Sequence, residues 1–319
     1  MRAPQIAVLA ILTGTLFPLS GQQSFQRNYK ASAYVTVLGI PVFSRSGVGY
    51  GWAVERQSPV TGSVELEFLG ASIPERAHGL NRFGYIQESV EEKNHAAVRA
   101  NYFGVMTASQ EESINDAKAA LNAQHGGGVP YVAASARLEN RHADCSVRHL
   151  VLPETRPSAT EDLMRVVKAA FETGPTHPTD LDRTVSTAAP QTFLYCLRRA
   201  MLSNDSNSRY DFLYNGKALT LITTNRRDEK VEAEMQRQHL MSPGAPILRL
   251  AGSVENQTTH ERTQFTVWFQ KDSANILPLR FEFKPKSYLK LVFDAQPDNR
   301  STPEIASVAA TANVSNDRP

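Results

Sequence analysis

The stretch from Ile247 to Ala295 reads ILRLAGSVEN (247–256), TQFTVWFQ (263–270), LRFEF (279–283) and LKLVFDA (289–295). Phe265, Val267 and Phe269 fall on one side of an extended strand, and the same alternation recurs in the next two runs. Four such runs joined by short connections predict an antiparallel meander with one buried face. The rest of the chain must extend this sheet or cover its apolar face.

The upstream sequence predicts both more strands and a few helices. Alternating runs occupy 30–42, 43–56, 64–68, 83–90, 97–107, 131–138 and 146–152, and Asn215-Gly216 is a strong hairpin signal. Capping boxes at Ser109 and Ser158 begin two helices, and the apolar segment 191–202 predicts a buried third. The predicted fold class is α+β, mainly β: a curved antiparallel sheet, in the form of a half-barrel, covered by a few helices.

The two ends of the chain differ in composition from the middle. Residues 1–21 combine a positive start, an apolar run and small residues, and this pattern predicts a secretory signal peptide. Residues 25–296 are predicted to form a single antiparallel-sheet domain, with 176–189 the best candidate for a subdivision. Residues 297–319 are predicted to be a disordered tail. The mature protein is therefore expected to be exported, either periplasmic or secreted.

Charge and hydropathy exclude two classes of partner. The formal net charge is +2, and no run of like charges suggests a nucleic-acid-binding surface. Beyond the leader, no segment has the ~20 consecutive apolar residues that a spanning helix needs. We therefore predict no nucleic-acid partner and no membrane span.

Residues able to support catalysis or metal binding are few. The group His142, Asp144, Cys145 and His149 has zinc-ligand chemistry but no second pair at a finger-like spacing, which favours a solvated loop with a structural cysteine. Carboxylates cluster at Glu88, Glu91 and Glu92 and at Asp228 and Glu229, where solvated faces are the simpler interpretation. No nucleophile elbow, P-loop or dinucleotide fingerprint occurs. We predict no catalytic residue, no metal and no cofactor.

Two further sets of residues have alternative interpretations. Cys145 and Cys196 form either a disulfide in an oxidising compartment or two buried free thiols, and we predict the disulfide. Aromatic side chains of the terminal meander fill a core or line a hydrophobic cavity. The candidate cavity-lining residues are Phe265, Phe269, Phe281, Phe283 and Phe293.

Several segments together resemble the exported bacterial DUF3108 family, a domain of unknown function. They are 190–198 (PQTFLYCLR), 210–225, 265–272 (FTVWFQKD) and 277–280 (LPLR), with a weaker match at 34–42. The sequence departs from the family pattern where Lys286, Ser287 and Tyr288 replace a glycine before the last strand. The resemblance implies a periplasmic or secreted protein with a curved sheet similar to lipoprotein-carrier half-barrels, and it implies no catalytic residues.

Two function hypotheses follow. The first is a non-catalytic binding module whose curved sheet holds an apolar small molecule, a lipid or another envelope-derived ligand. The second is a structural or assembly factor of the cell envelope that acts through protein contacts with an unidentified partner. The leader and the aromatic-rich sheet favour the first.

Overall fold

The computed structural model describes residues 23–37, 40–58, 60–77, 81–107, 129–152, 160–174, 180–241, 244–271, 276–286 and 288–297. The strands are β1 (Gln23–Val37), β2 (Ile40–Ser58), β3 (Ser63–Ser72), β4 (Phe83–Lys93), β5 (Ala96–Thr107), β6 (Val129–Glu139), β7 (His142–Leu152), β8 (Leu181–Ser186), β9 (Asn207–Tyr214), β10 (Lys217–Arg227), β11 (Ile247–Asn256), β12 (Arg262–Gln270), β13 (Arg280–Lys286) and β14 (Leu289–Ala295). The helices of the described part are α1 (Thr160–Thr173), α2 (Phe193–Leu202) and α3 (Glu229–Arg237).

All the strands belong to one antiparallel sheet. Its order is β8-β7-β6-β5-β4-β3-β2-β1-β14-β13-β12-β11-β10-β9, so consecutive strands are paired except β8 and β9, and β1 also pairs with β14. The order begins at β8 and ends at β9, and the sheet is not closed into a barrel. Asn215 and Gly216 have positive φ angles of 50° and 67° in the β9–β10 turn, as a two-residue hairpin of this handedness requires.

The sheet curves around helix α2, and we call the face that α2 contacts the inner face. Tyr195 of α2 packs with β3 to β7 residues, while Cys196, Leu197 and Met201 pack with β9 to β12 residues. The rings of Phe68 on β3 and Phe281 on β13 lie 5.8 Å apart although three strands separate them in the sheet. Distant strands therefore meet across a concave inner face.

Helices α1 and α3 cover parts of the outer face. On β3 to β7, Leu69, Tyr85, Val105 and Tyr131 pack against α1, whereas inward neighbours such as Leu66 pack towards α2. Strands β3 to β7 are therefore buried on both faces, on the outer face by α1 and on the inner face by α2. On the other half of the sheet, Val231 and Met235 of α3 pack against Trp268 and its neighbours.

The predicted fold class is confirmed: the molecule is mainly β, with a large curved antiparallel sheet and a few helices. The meander from Ile247 and the helices beginning near Ser158 and Gln191 are also present. The candidate subdivision at 176–189 includes strand β8, which continues the sheet beside β7. The predicted signal peptide, the helix at Ser109 and all but residue 297 of the predicted tail lie outside the described residues. None of the helices in the described ranges has the length and apolar character needed to cross a bilayer.

Candidate functional site

A row of directly paired residues crosses the inner face from β2 to β8. Register places Glu55 opposite Leu66, Leu66 opposite Glu88 and Glu88 opposite Tyr102, and the row continues to Cys145 and Arg183. Glu55 and Glu88 are 1% and 0% exposed. Two carboxylates therefore lie on a face where alternation would otherwise bury apolar groups, and such groups require partners.

Glu88 finds its partners at the N-terminus of α2. Its carboxylate accepts hydrogen bonds from the Thr192 hydroxyl at 2.5 Å and from the backbone N–H groups of Leu194 and Tyr195, each at 2.9 Å. The Thr192 side chain makes no capping bond to the helix itself. A strand residue thus supplies the cap, and its negative charge faces the positive end of the helix dipole.

Glu55 is paired one turn further along α2. Arg198 Nε donates to its carboxylate at 2.7 Å and Gln57 Nε2 donates to the same oxygen at 2.6 Å. Glu92 accepts from the Tyr195 hydroxyl at 2.8 Å. We call Glu55, Glu88 and Glu92 the carboxylate cluster. It fixes the position of α2 along the inner face, because any shift of the helix would leave a buried charge unpaired.

Burial dominates the titration of Glu88. Removal of its carboxylate from water raises its pKa to about 7, although the hydrogen bonds from Thr192, Leu194 and Tyr195 act in the opposite direction. The folded protein consequently holds this proton at pH values where an exposed glutamate is ionised. The group contacts the helix cap and is enclosed, which indicates a structural role.

Sequence reasoning assigned the acids near Glu88 to a solvated face. That holds for Glu91, which is exposed, but Glu88 is fully buried and Glu92 is partly buried. A signal was present: Ile86 and Val90 flank Glu88 at a spacing of two and are apolar, so Glu88 occupies an inward position of an apolar face. Arg198 within the apolar segment 191–202 was the matching cation. The sequence carried no sign that these two segments meet.

The five candidate cavity residues all lie on the inner face, and the structure brings them together. Phe265, Phe269 and Phe293 are buried. Phe193 of α2 packs on Phe265 with centroids 6.0 Å apart, and Phe293 contacts the ring of Phe68 at 5.9 Å. These three phenylalanines therefore belong to a filled core.

Phe281 and Phe283 are different, because both keep part of their surface exposed. Their rings stack on each other at 6.4 Å with an interplanar angle of 9°. Across the sheet, Phe283 is opposite Leu291, Leu291 is opposite Ala33, and the next row places Leu289, Val35 and Phe43 side by side. The side chains of these neighbours are all at least partly exposed to solvent, and Phe43 is 49% exposed. We define the apolar strip as Ala33, Val35, Phe43, Phe283, Leu289 and Leu291.

Both cysteines carry free, buried thiols, in place of the predicted disulfide. Cys145 on β7 packs with β3 to β6 residues, and Cys196 on α2 packs in a different cluster with β9 to β12 residues. Each sulfur has a local polar contact, to the Ala143 carbonyl and to the Gln191 side chain. Burial raises the pKa of both thiols, which makes them unreactive.

The proposed ligand group of His142, Asp144, Cys145 and His149 lies along strand β7, which directs its members to different faces. His142 and Asp144 are exposed, whereas Cys145 is buried on the other face of the strand. His149 instead pairs with Asp180, with Nδ1 and Oδ1 3.2 Å apart. Within the described ranges, no three His, Cys, Asp or Glu side chains form a group able to hold a metal. His142 lines an open depression of about 510 Å³ at the β6–β7 turn, together with Arg141 and Thr187.

Comparisons with known proteins show a similarity of structure and none of sequence. No family model matches the sequence, and no curated protein matches it. The chain is similar to a solved beta-barrel-like protein of Domain of Unknown Function DUF1849 from Brucella abortus, with 7% identity and a TM-score of 0.45, over 86% of this chain and 95% of that chain. A similarity at this level carries no functional inference. The resemblance to the DUF3108 family stays a prediction.

Proposed function

We propose that the protein is a non-catalytic binding module for an apolar, envelope-derived ligand, and that the ligand lies on the apolar strip. The observation that carries the proposal is the partial exposure of six apolar side chains on adjacent rows of one concave face. Contiguous exposed apolar surface is uncommon on monomeric proteins and marks binding sites. The leader predicted for residues 1–21 would bring the protein to such ligands.

Two features of the inner face support a ligand at this position. Helix α2 packs on residues of β9 to β12 and of β3 to β7, and the strip lies beside these contacts on β13, β14, β1 and β2, where Phe283 borders the cluster of β9 to β12 residues. The stacked pair Phe281 and Phe283 forms a rigid aromatic floor beside the strip. Flat apolar side chains on strands, which the sheet holds in place, bind apolar ligands at a low cost in conformational entropy.

The test is binding of an environment-sensitive hydrophobic fluorophore to purified full-length protein, together with extraction and analysis of copurified lipid. We expect saturable binding and an at least tenfold weaker affinity in Phe43→Ser, because the substitution removes about 1.5–3 kcal/mol of apolar contact. Tyr50→Ser is the matched control, since Tyr50 is an aromatic residue on the same strand with 45% exposure. Its pairing with Lys30 places it on the outer face.

Equal loss of affinity in Phe43→Ser and Tyr50→Ser would show that the fluorophore binds elsewhere. Absence of both fluorophore binding and copurified lipid in the wild-type protein would refute the proposal.

A further inference from the structure

A second exposed apolar surface lies on the inner face, on strands far from the strip in the sheet order. Register places Gly84 on β4 opposite Met106 on β5, and Met106 opposite Val132 on β6. Their chain neighbours Val105 and Tyr131 pack against α1 on the outer face, so this row points inward. All three members of the row keep partial exposure, and Met106 is 43% exposed. We call Gly84, Met106 and Val132 the second apolar surface.

The ring of Phe293 lies between the second apolar surface and the strip. Gly84 is opposite Gly70, and a Cβ on Gly70 would lie 3.3 Å from the Phe293 ring. Leu291 of the strip is two residues from Phe293 along β14, which is about 7 Å. On the other side, Met106 is two strand spacings from Gly70, which is about 10 Å. The two apolar surfaces therefore flank one nearly buried ring on the concave face.

The space above the second apolar surface is open. In the described part of the chain, a Cβ on Gly84 would meet no atom within 4 Å, whereas Gly70 beside it is covered by Phe293. The row that contains Gly84 continues to His149 on β7, whose ring pairs with Asp180. The open apolar floor therefore has a limited extent, because Phe293 bounds it on one side and the polar pair bounds it on the other.

We infer that the ligand is a two-chain lipid, with one chain on the apolar strip, the other on the second apolar surface and the branch point above Phe293. The inference rests on the proposed function and adds the chemical class of the ligand. The hydrocarbon core of a bilayer is about 30 Å thick and two chains deep, so one chain spans about 15 Å. Both surfaces are reached within about 10 Å of Phe293, so two chains that diverge from one backbone can cover both. A single chain would cover one surface and leave the other in contact with water.

The experiment is displacement of the bound fluorophore from full-length protein by dioctanoylphosphatidylcholine and by palmitoyl-lysophosphatidylcholine, each below its critical micelle concentration. The two lipids share the headgroup and the total number of acyl carbons, which are divided between two chains in the first and joined in one chain in the second. Wild-type protein is expected to bind the two-chain lipid at least tenfold more tightly, because its chains alone occupy both surfaces.

Three variants separate the two surfaces. Met106→Ser should weaken binding of the two-chain lipid by about fivefold or more, while its affinity for the one-chain lipid stays within about twofold of wild type. Val98→Ser is the matched control, since Val98 lies on the same strand with 45% exposure but eight residues from Met106, roughly 26 Å. This control should keep the preference for two chains. Phe43→Ser, on the strip, should weaken binding of both lipids.

Three outcomes decide the matter. A preference for two chains in wild-type protein that falls in Met106→Ser and persists in Val98→Ser supports the inference. Equal binding of both lipids by wild-type protein, or an equal change in Met106→Ser and Val98→Ser, overturns it and leaves the strip as a single-surface site. Failure of wild-type protein to bind the fluorophore and both lipids refutes the proposed function together with the inference.

Discussion

The two parts of the inner face are built in opposite ways. Around Glu55 and Glu88 the face is polar, fully buried and occupied by α2, which supplies a donor for each carboxylate. The apolar strip consists of uncharged side chains that keep partial exposure. The polar part carries an internal segment of the chain, and the apolar part is free to carry a ligand.

The contrast explains why polar groups are used where the helix sits. A buried ion pair adds little net stability compared with apolar packing. It specifies the position of the helix, because any other position would leave a buried charge without its partner. The strip has no such requirement, since an apolar ligand can slide and vary in length on a surface without fixed donors.

Breaking the ion pair between Arg198 and Glu55 should give the largest loss of stability. Arg198→Ala leaves the carboxylate of Glu55, whose side chain is 1% exposed, with a hydrogen bond from Gln57 on β2 but without its paired cation. We expect a loss of about 3–5 kcal/mol in the free energy of unfolding, measured by urea denaturation. The double variant Glu55→Gln, Arg198→Leu removes both charges and should recover most of that loss.

Arg165→Ala is the control for this substitution. Arg165 pairs with Asp162 at 2.6 Å, but its side chain is 78% exposed, so its removal should change the free energy of unfolding by less than about 0.5 kcal/mol. A similar small change in Arg198→Ala would show that the buried pair does not hold α2.

The pH dependence of stability tests Glu88. Its pKa is raised in the folded state from 4.5 to about 7, so the folded protein binds more protons than the unfolded chain between these values. The contribution of Glu88 is therefore fully present below pH 4.5 and is lost as the pH rises to about 7. This loss amounts to about 3 kcal/mol in the free energy of unfolding.

Urea denaturation at several pH values across this range measures the slope. Glu88→Gln should abolish it because an amide does not titrate, whereas Glu91→Gln, an exposed acid on the same strand, should retain it. A slope unchanged in Glu88→Gln would assign the proton to another group.

Glycine substitutions compare a covered and an open position on the inner face. A Cβ on Gly252 would come within 2.2–2.6 Å of the Phe265 ring, whereas a Cβ on Gly84 meets nothing within 4 Å. Gly252→Ala must displace a buried core ring and should cost about 1–3 kcal/mol. Gly84→Ala should be neutral or stabilising by up to about 1 kcal/mol. Equal effects, measured by thermal unfolding, would contradict the packing described for α2 and β12.

The smallest stability effect is expected on the strip itself. Phe43→Ser removes a side chain that is 49% exposed, and the free energy of unfolding should change by less than about 1 kcal/mol. Combined with the expected loss of ligand affinity, this result would separate binding from folding. A loss above about 2 kcal/mol would mean that Phe43 is a core residue.

The architecture was predictable because it follows local rules. Alternation from Ile247 onward, the Asn215-Gly216 turn and the capping box at Ser158 each specify structure within a few residues. Strand β8 was missed because its polar residues lie in a segment rich in Pro, Thr and Asp. What makes it a strand is pairing with β7, including the bonds from Arg148 to Asp182, which is a non-local cause.

The site was only partly predictable. The meander phenylalanines were assigned to one face correctly, but the division between buried Phe265 and partly exposed Phe283 depends on where α2 lies. That position is set by Glu88, which is more than a hundred residues from Tyr195 in sequence. The free thiols of Cys145 and Cys196 follow from the same placement. Local patterns contain no information about such contacts.

Methyl NMR of the full chain during titration with the hydrophobic fluorophore tests the central contrast most directly. Val35, Leu289 and Leu291 report on the apolar strip, while Leu66, Val90 and Leu138 report on the buried part beneath α2. We predict saturable shift changes for the first group with the second group unchanged. Shift changes at the second group, or none at the first, would contradict the assignment of the strip as the ligand site.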